Sequence, residues 1–215
     1  MAVIAPKKVV AVTDVVFWTR FPARALPRTN WSDHIDAHKA VMRLFPVRLD
    51  GPVDERRKHA KILFRIDILN GEPVVMVQSS VAPEMLPAEA RTMQVSNVAW
   101  AVEAGATVRF RVAVRAIKRN GRSKTETVVP AAEAEAWFAA RLGTSVTGLD
   151  ILNHARDEYR HTKKAGKNTP SHLVVDVFDC LAQIADVEVF DRLRVEGLGR
   201  SKAYGAGLLT AQRIG

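Results

Sequence analysis

Two histidines one helical turn apart are the first residues in this sequence that could carry out chemistry. His34 and His38 lie in the segment SDHIDAHKAVMRLF, residues 32–45, which begins with capping residues and is followed by Pro46. These features predict a helix. Histidine titrates near neutral pH, so it can accept or donate a proton in an enzyme. The positive end of a helix disfavours imidazolium, and a histidine near the helix N-terminus is therefore expected to stay neutral and able to act as a base.

The spacing of apolar residues predicts which side of this helix is buried. A histidine on that side is often a core residue with one hydrogen-bond partner, and this interpretation stays open beside the catalytic one. A zinc site is not favoured, because the pair lacks the neighbouring glutamate and a third ligand. At 100° per residue the apolar stripe contains Ile35, His38, Met42 and Phe45, with His34 and Val41 beside it and Asp36, Lys39 and Arg43 opposite.

The tail GLGRSKAYGAG, residues 197–207, combines four glycines with Arg200 and Lys202. It matches no nucleotide-binding fingerprint, because Lys202 stands where a dinucleotide motif needs its third glycine and Gly199 and Gly205 are too far apart for a Walker loop. Glycine-rich backbone lets amide groups approach phosphates, and the two cations would add charge. A tight helix-to-strand turn that needs glycine for positive φ explains the same residues, and the loop alone favours this second interpretation.

The composition indicates a polyanionic partner. The 215 residues include 32 Lys and Arg against 23 Asp and Glu, a net charge of +9, and 47% hydrophobic residues, enough for a core. Cys180 is the only cysteine; it cannot form an internal disulfide and is interpreted as a core residue of a protein in a reducing compartment, the cytoplasm. No apolar run reaches 18 residues, so no membrane span is expected.

Basic residues are concentrated on one predicted strand, TVRFRVAVRAIKR, residues 107–119. Apolar residues alternate there with arginines, so one face is core and the other is a row of guanidinium groups. Such a row is repulsive unless an anion lies across it, which indicates nucleic acid. The segment ERRKHAK, residues 55–61, is interpreted as a solvated face. The candidate residues for binding nucleic acid are Lys39, Arg109, Arg111, Arg115, Lys118, Arg119, Lys163, Lys164, Gly199, Arg200 and Lys202.

The elements that must position these residues follow one order twice, β-α-β-β-α-β, with the second helix of the first unit uncertain. This predicts an α+β fold of two tandem ferredoxin-like (RRM-like, βαββαβ) domains. The domains are placed at 1–120, with the catalytic helix, and 121–215, with the glycine-rich RNA-binding loop. The strands are predicted at 9–18, 61–69, 73–80 and 107–119, then at 125–130, 148–161, 171–184 and 204–214; the clear helices lie at 32–45, 131–143 and 187–197.

The helix and the tail together resemble the CRISPR-associated repeat-RNA endoribonucleases of the type I-E system, the CasE family. The tail has the pattern Gly-x-Gly-x-x-Lys-x-x-Gly-x-Gly-Leu-Leu over residues 197–209. The helix has His38 and Lys39 followed by Leu-Phe-Pro at 44–46. The segments RFRVAVRAIK and AEAEAWFAARLG also look like their family counterparts, so the resemblance covers nearly the whole chain.

The resemblance implies a metal-independent endoribonuclease that cleaves the stem-loop of a CRISPR repeat in precursor RNA and uses no cofactor. The 2′-hydroxyl attacks the adjacent phosphate and leaves a 2′,3′-cyclic phosphate and a 5′-hydroxyl, with His38 as the general acid or base. Such a reaction needs proton transfer and stabilisation of a dianionic phosphorane. The implied partners are the precursor and mature guide RNA and the other subunits of the type I-E interference complex, with no membrane and no small-molecule cofactor.

One position departs from the family pattern. Many members have a catalytically helpful tyrosine three residues before the histidine, whereas this chain has Ile35 there. We therefore expect His34, on the same face, to take part of that role. Two alternatives stay open: a catalytically inactive RNA-binding subunit that caps the guide RNA hairpin, and an unrelated basic nucleic-acid-binding domain with a ferredoxin-like fold.

Overall fold

A computed structural model of the chain describes residues 15–47, 49–52, 55–96, 102–121, 125–160 and 172–214. The first half forms a four-stranded antiparallel sheet with the order β2-β3-β1-β4. Its elements are β1 (Val15–Pro22), α1 (His34–Met42), α2 (Arg56–His59), β2 (Leu63–Leu69), β3 (Glu72–Ser79) and β4 (Arg91–Ser96).

The second half forms another four-stranded antiparallel sheet, with the order β10-β5-β9-β8, and a separate two-stranded pair, β6-β7. A short 3-10 helix at Lys202–Tyr204 precedes the last strand. The other elements are β5 (Thr107–Val114), β6 (Ile117–Arg119), β7 (Glu126–Val128), α3 (Ala134–Leu142), β8 (Val146–Arg160), β9 (His172–Ile184), α4 (Val187–Glu196) and β10 (Leu209–Arg213).

Both sheets have the same topology. When the four strands of each unit are numbered along the chain, they lie side by side in the order fourth, first, third, second. This is the arrangement of a βαββαβ unit. The predicted α+β fold of two tandem ferredoxin-like domains is therefore confirmed.

The assignment of strands to the two units differs from the prediction. The strand at 107–114 was expected to close the first unit, but it pairs with β9 and β10 inside the second sheet. The first unit is closed by β4, a polar edge strand whose Met93 is 63% exposed, so it has none of the alternation by which a strand is identified. The predicted strand at 125–130 pairs only with β6. We propose a domain boundary between Ser96 and Thr107 in place of the one expected near residue 120.

Local signals in the first unit predicted its structure correctly. Asn70 and Gly71 connect β2 to β3 with φ of 52° and 80°, the left-handed values of a type I′ hairpin turn. Residues 9–14 of the predicted first strand lie outside the described residues, and β1 begins at Val15. In the described part of the chain, no helix is long and apolar enough to cross a membrane.

Each sheet carries its helices on one face over its own core. In the second unit the rings of Phe138 and Phe178 stack at 4.2 Å, and Phe110 lies edge-on to Phe190 at 6.1 Å. The even-numbered residues of β5 are at most 1% exposed, which confirms the predicted alternation. Cys180 is fully buried, and burial, then the neighbouring Asp179 carboxylate, raises the pKa of its thiol to about 12. Cys180 is thus a core residue, as predicted.

A buried guanidinium joins the two units. Arg65 on β2 is 3% exposed and binds both carboxylate oxygens of Asp67, at 2.8 and 2.9 Å. It also donates to the carbonyl oxygens of Arg111 (2.9 Å) and Leu208 (3.0 Å) and to the hydroxyl of Thr210 (3.1 Å). This network fixes the first sheet, which carries α1, against β5 and β10 of the second sheet.

Candidate active site

The N-terminus of α1 is fixed by two carboxylates. The side chain of Asp33 accepts hydrogen bonds from the backbone N–H groups of Ile35 (2.8 Å) and Asp36 (3.3 Å), which confirms Asp33 as a capping residue. The Asp36 carboxylate in turn accepts from the backbone N–H of Asn30 at 2.7 Å. The first turn, which contains His34, is therefore held in one orientation.

The buried face of α1 differs from the predicted stripe. Ala37 is 1%, Ala40 3% and Val41 0% exposed, whereas His38 is only half-buried, like the neighbouring Ile35 and Met42. The small alanine side chains let the helix approach the sheet closely on that side. This rotation leaves His38 at the edge of the core, where its ring lines an open cleft of about 690 Å³, whereas His34 is 7% exposed.

His38 is held in a neutral state by its surroundings. Burial lowers the pKa of its imidazole below the ordinary 6.5, and the positive charge of Arg57 lowers it further. A hydrogen bond with the backbone of Ala203 works in the opposite direction. The net effect favours the free base at neutral pH, so His38 can accept a proton.

The glycine-rich tail folds back on itself. Its chain leaves α4 at Gly197 with φ of 78°, and the backbone N–H of Leu198 donates to the carbonyl oxygen of Gly207 at 2.9 Å. A Cβ at Gly197 would lie 2.9 Å from the same oxygen. The turn interpretation of the glycines is therefore confirmed, and the bare backbone is needed to place the 3-10 helix Lys202–Tyr204 against α1.

Arg57 and Lys202 are cations with partly buried side chains near α1 and the tail. Burial lowers the pKa of the Arg57 guanidinium, which donates to the carbonyl oxygen of Ile62 at 2.7 Å. Burial also lowers the pKa of Lys202, with Glu196 opposing and Arg57 adding to the shift. Arg57 and Lys202 line a cleft of about 490 Å³ that shares Arg57 and Ala203 with the cleft at His38. A base and two cations are thus gathered around one place, the combination that a phosphate in transfer requires.

Tyr204 completes this group. Its ring is 4.9 Å from that of His34 and 6.1 Å from that of His38, edge-on to both. It is 39% exposed and lines the same cleft as Arg57 and Lys202. The site therefore combines a helix of the first unit with the tail of the second.

Several of the predicted RNA-binding cations are paired with carboxylates of the protein. The expectation that an external anion must lie across the β5 arginines is wrong at Arg111, because two aspartates lie there instead. Cations held in this way are less available to RNA than unpaired ones would be. The pairs are Arg111 with Asp67 (3.0 Å) and Asp179 (2.9 Å), Arg115 and Arg200 with Glu126 (3.0 and 2.7 Å), and Lys118 with Glu133 (2.6 Å).

The remaining candidate RNA-binding residues are exposed, lie in the tail or fall outside the described residues. Lys39, Arg109 and Arg119 are exposed. Gly199 lies in the tail with φ of 78°. Lys163 and Lys164 fall outside the described residues. Across the ranges that the structure describes, no group of three or more His, Cys, Asp or Glu side chains could hold a metal ion.

Sequence reasoning missed two residues of this site. Arg57 was interpreted as part of a solvated face, and nothing in its local sequence indicates the contact with the tail. Tyr204 carried a signal, because it is one of only two tyrosines in the chain and lies inside the tail motif. Its contact with the histidines depends on the arrangement of the two units and could not be read from spacing.

Comparisons with known proteins agree with this architecture. The family model of CRISPR-associated proteins matches residues 16–213. No curated protein sequence matches the chain.

Solved structures show the same fold over nearly the whole chain. CRISPR endoribonuclease Cse3 bound to a 19-nucleotide RNA has a TM-score of 0.71 at 20% identity, covering 92% of this chain and 99% of that one. Thermus thermophilus Cse3 bound to an RNA representing a pre-cleavage complex has a TM-score of 0.68 at 19% identity, covering 93% of this chain and 99% of that one. Cas6e from Escherichia coli K-12 has a TM-score of 0.62 at 19% identity, covering 93% of this chain and 100% of that one.

Proposed function

Because this chain belongs to the family of CRISPR-associated proteins, we propose that it is the endoribonuclease that cleaves CRISPR repeat stem-loops in precursor RNA. The observation that carries this proposal is the half-buried His38, whose lowered pKa and neighbouring Arg57 fit RNA cleavage, with Lys202 in the adjoining cleft. The similarity to Cse3 and Cas6e supports a type I-E assignment. Membership of the family also removes the alternative of an unrelated basic domain.

The reaction that suits these residues is internal transesterification. The 2′-hydroxyl of the nucleotide before the cut gives its proton to His38 and attacks the neighbouring phosphorus, so no protein nucleophile is needed. Arg57 and Lys202 stabilise the negative charge of the phosphorane. The products are a 2′,3′-cyclic phosphate and a 5′-hydroxyl. Since His38 is already neutral, this scheme supplies the base without a metal ion.

The surroundings of the site suit a bound RNA. Lys39 lies beside His38 on the exposed side of α1, and Arg109 and Arg119 are exposed on the second unit; we propose that these cations contact phosphates. The product hairpin stays bound, and the protein then serves in the cytoplasm as a subunit of the type I-E interference complex. This parallels the similar chains described as parts of a CRISPR RNA-guided surveillance complex.

One experiment separates cleavage from binding alone. A labelled type I-E repeat RNA is incubated with excess protein in EDTA, beside an RNA with a 2′-deoxy substitution at the cut site. His38→Ala is compared with His59→Ala, which removes an exposed histidine of α2. We expect one cut at the 3′ base of the hairpin, abolished by the 2′-deoxy substitution and by His38→Ala but not by His59→Ala. Tight binding without any cut would instead establish the inactive, hairpin-capping subunit that Ile35 favours.

A further inference from the structure

The contact of Tyr204 with both histidines assigns it a role in the reaction. Its ring lies edge-on to His34 and His38, with centroids 4.9 and 6.1 Å away, within the range of favourable aromatic pairs. His34 is 7% exposed, so it cannot present much surface to a polynucleotide, whereas Tyr204 is 39% exposed. Of the rings of His34 and Tyr204, only that of Tyr204 lines the cleft formed with Arg57 and Lys202.

We propose that Tyr204 is the general acid of the cleavage reaction and that His34 is a positioning residue that holds its ring. This inference rests on the proposed endoribonuclease function and adds to it the group that protonates the leaving oxygen. It also changes the expected role of His34 from a proton-transfer group to a support of one.

The protonation states of the two rings are complementary. The phenolic hydroxyl of a tyrosine carries a proton that it can donate. His38 is in the free-base form at neutral pH, because burial and Arg57 lower its pKa. The phenol is therefore assigned as the acid, and the free-base imidazole of His38 is assigned as the base.

The proton balance closes with these two groups. His38 takes the proton of the 2′-hydroxyl as the new bond between the 2′-oxygen and phosphorus forms. Tyr204 gives its proton to the 5′-oxygen as the bond between phosphorus and that oxygen breaks. The imidazolium and the phenolate left behind return to their starting forms when a proton passes from His38 to Tyr204 through solvent. Arg57 and Lys202 line the cleft beside Tyr204 and stabilise the phenolate in the interval.

Lys202 is a second candidate for the proton donor in this cleft, and its position favours a different role. Its side chain packs against the tail, since a Cβ at Gly207 would lie 3.0 Å from its Cγ. Its ammonium is under the influence of Glu196 and Arg57. Tyr204, by contrast, contacts the rings of both histidines. Lys202 is therefore assigned to the phosphorane charge and Tyr204 to the leaving group.

The test uses a repeat RNA in which sulfur replaces the 5′-oxygen at the cut site. A thiol titrates near 8.5, so a thiolate leaves without being protonated and needs no general acid. Single-turnover rates are measured on the oxygen and sulfur RNAs for the unmodified protein, Tyr204→Phe, His38→Ala and Lys202→Ala. Tyr159→Phe is the matched control, because Tyr159 is the other tyrosine of the chain. The RNA dissociation constant is measured for each variant.

We expect Tyr204→Phe to slow cleavage of the oxygen RNA by about 10²–10⁴-fold, the usual contribution of general acid–base catalysis. The same variant should cleave the sulfur RNA at the rate of the unmodified protein and bind RNA with unchanged affinity. His38→Ala should be slow on both RNAs, because the attacking hydroxyl still needs a base. Tyr159→Phe should match the unmodified protein on both.

Three results would overturn the proposal. The first is that Tyr204→Phe cleaves the oxygen RNA at the full rate. The second is that Tyr204→Phe is slowed equally on both RNAs, which would mean that Tyr204 has a structural role only. Rescue of Lys202→Ala by sulfur, without rescue of Tyr204→Phe, would make Lys202 the acid. Failure of the unmodified protein to cut the oxygen RNA is a different outcome, because it would remove the proposed function and this inference with it.

Discussion

Arg65 donates a buried hydrogen bond of 3.0 Å to the carbonyl oxygen of Leu208, and this bond ties the sheet beneath α1 to the end of the glycine-rich tail. The groups proposed for catalysis come from both sides of that junction. His38 and Arg57 belong to the first unit, whereas Lys202 and Tyr204 belong to the second. Their alignment therefore depends on how the two units are held together.

Loss of the Arg65 guanidinium should destabilise the protein strongly. Arg65→Ala leaves the Asp67 carboxylate buried with only Arg111 beside it, and breaking a buried pair in this way costs about 3–5 kcal/mol. The free energy of unfolding is measured by urea titration. Arg24→Ala is the matched control, since the exposed Arg24–Glu72 pair should contribute less than about 1 kcal/mol. Equal effects of the two substitutions would show that Arg65 does not hold the junction.

The cleavage rate should depend on pH through His38. A base must be unprotonated, so the rate should level off between the lowered pKa of His38 and neutral pH and fall about tenfold per pH unit below that pKa. Arg57 contributes to that lowering, so Arg57→Met should move the acid limb to higher pH, whereas Arg57→Lys should keep it in place. Tyr204 and the Ala203 backbone also face this imidazole. Logarithmic single-turnover rates against pH check the shift, and coincident acid limbs for all three proteins would contradict it.

The fold of the tail should depend on the absence of a side chain at Gly207, and not only on the positive φ of that residue. Gly207→Ala places a Cβ 2.9 Å from the carbonyl oxygen of Leu198, at a φ of 99°. Gly71→Ala is the matched control, because Gly71 also has a positive φ, 80°, but a Cβ there would meet no atom within 4 Å. Left-handed strain alone costs about 1–3 kcal/mol. We expect Gly207→Ala to lose more stability than Gly71→Ala and to lose cleavage as well; equal losses in urea unfolding, with cleavage intact, would refute the close approach.

The sequence could predict what depends on neighbours in the chain. The hairpin at Asn70-Gly71 and the alternation along β5 are of this kind, because turn chemistry and side-chain period act over a few residues. The partner strands of β5 could not be predicted, since sheet membership is decided by contacts far apart in sequence. The helix containing His38 was predicted, but its rotation was set by the small Ala37 and Ala40 against the sheet. The shared cleft of Arg57 and the tail follows only from the docking of the two units.

The arginines of β5 should divide into one that binds RNA and one that supports the fold. Arg109 is exposed, whereas Arg111 is held by Asp67 and Asp179 at 3.0 and 2.9 Å. Arg109→Ala should weaken RNA binding and reduce the slope of log affinity against log salt by about 1, as the loss of one phosphate contact does.

Arg111→Ala is the counterpart on the same strand face. It should lower the midpoint of urea unfolding, because it leaves two carboxylates without their shared cation, and it should leave the salt slope unchanged. Both variants are measured by RNA titration at several salt concentrations and by urea unfolding. A reduced salt slope for Arg111→Ala, with unchanged unfolding, would show that the guanidinium leaves its aspartates to bind RNA and that the row along β5 acts as one RNA-binding surface after all.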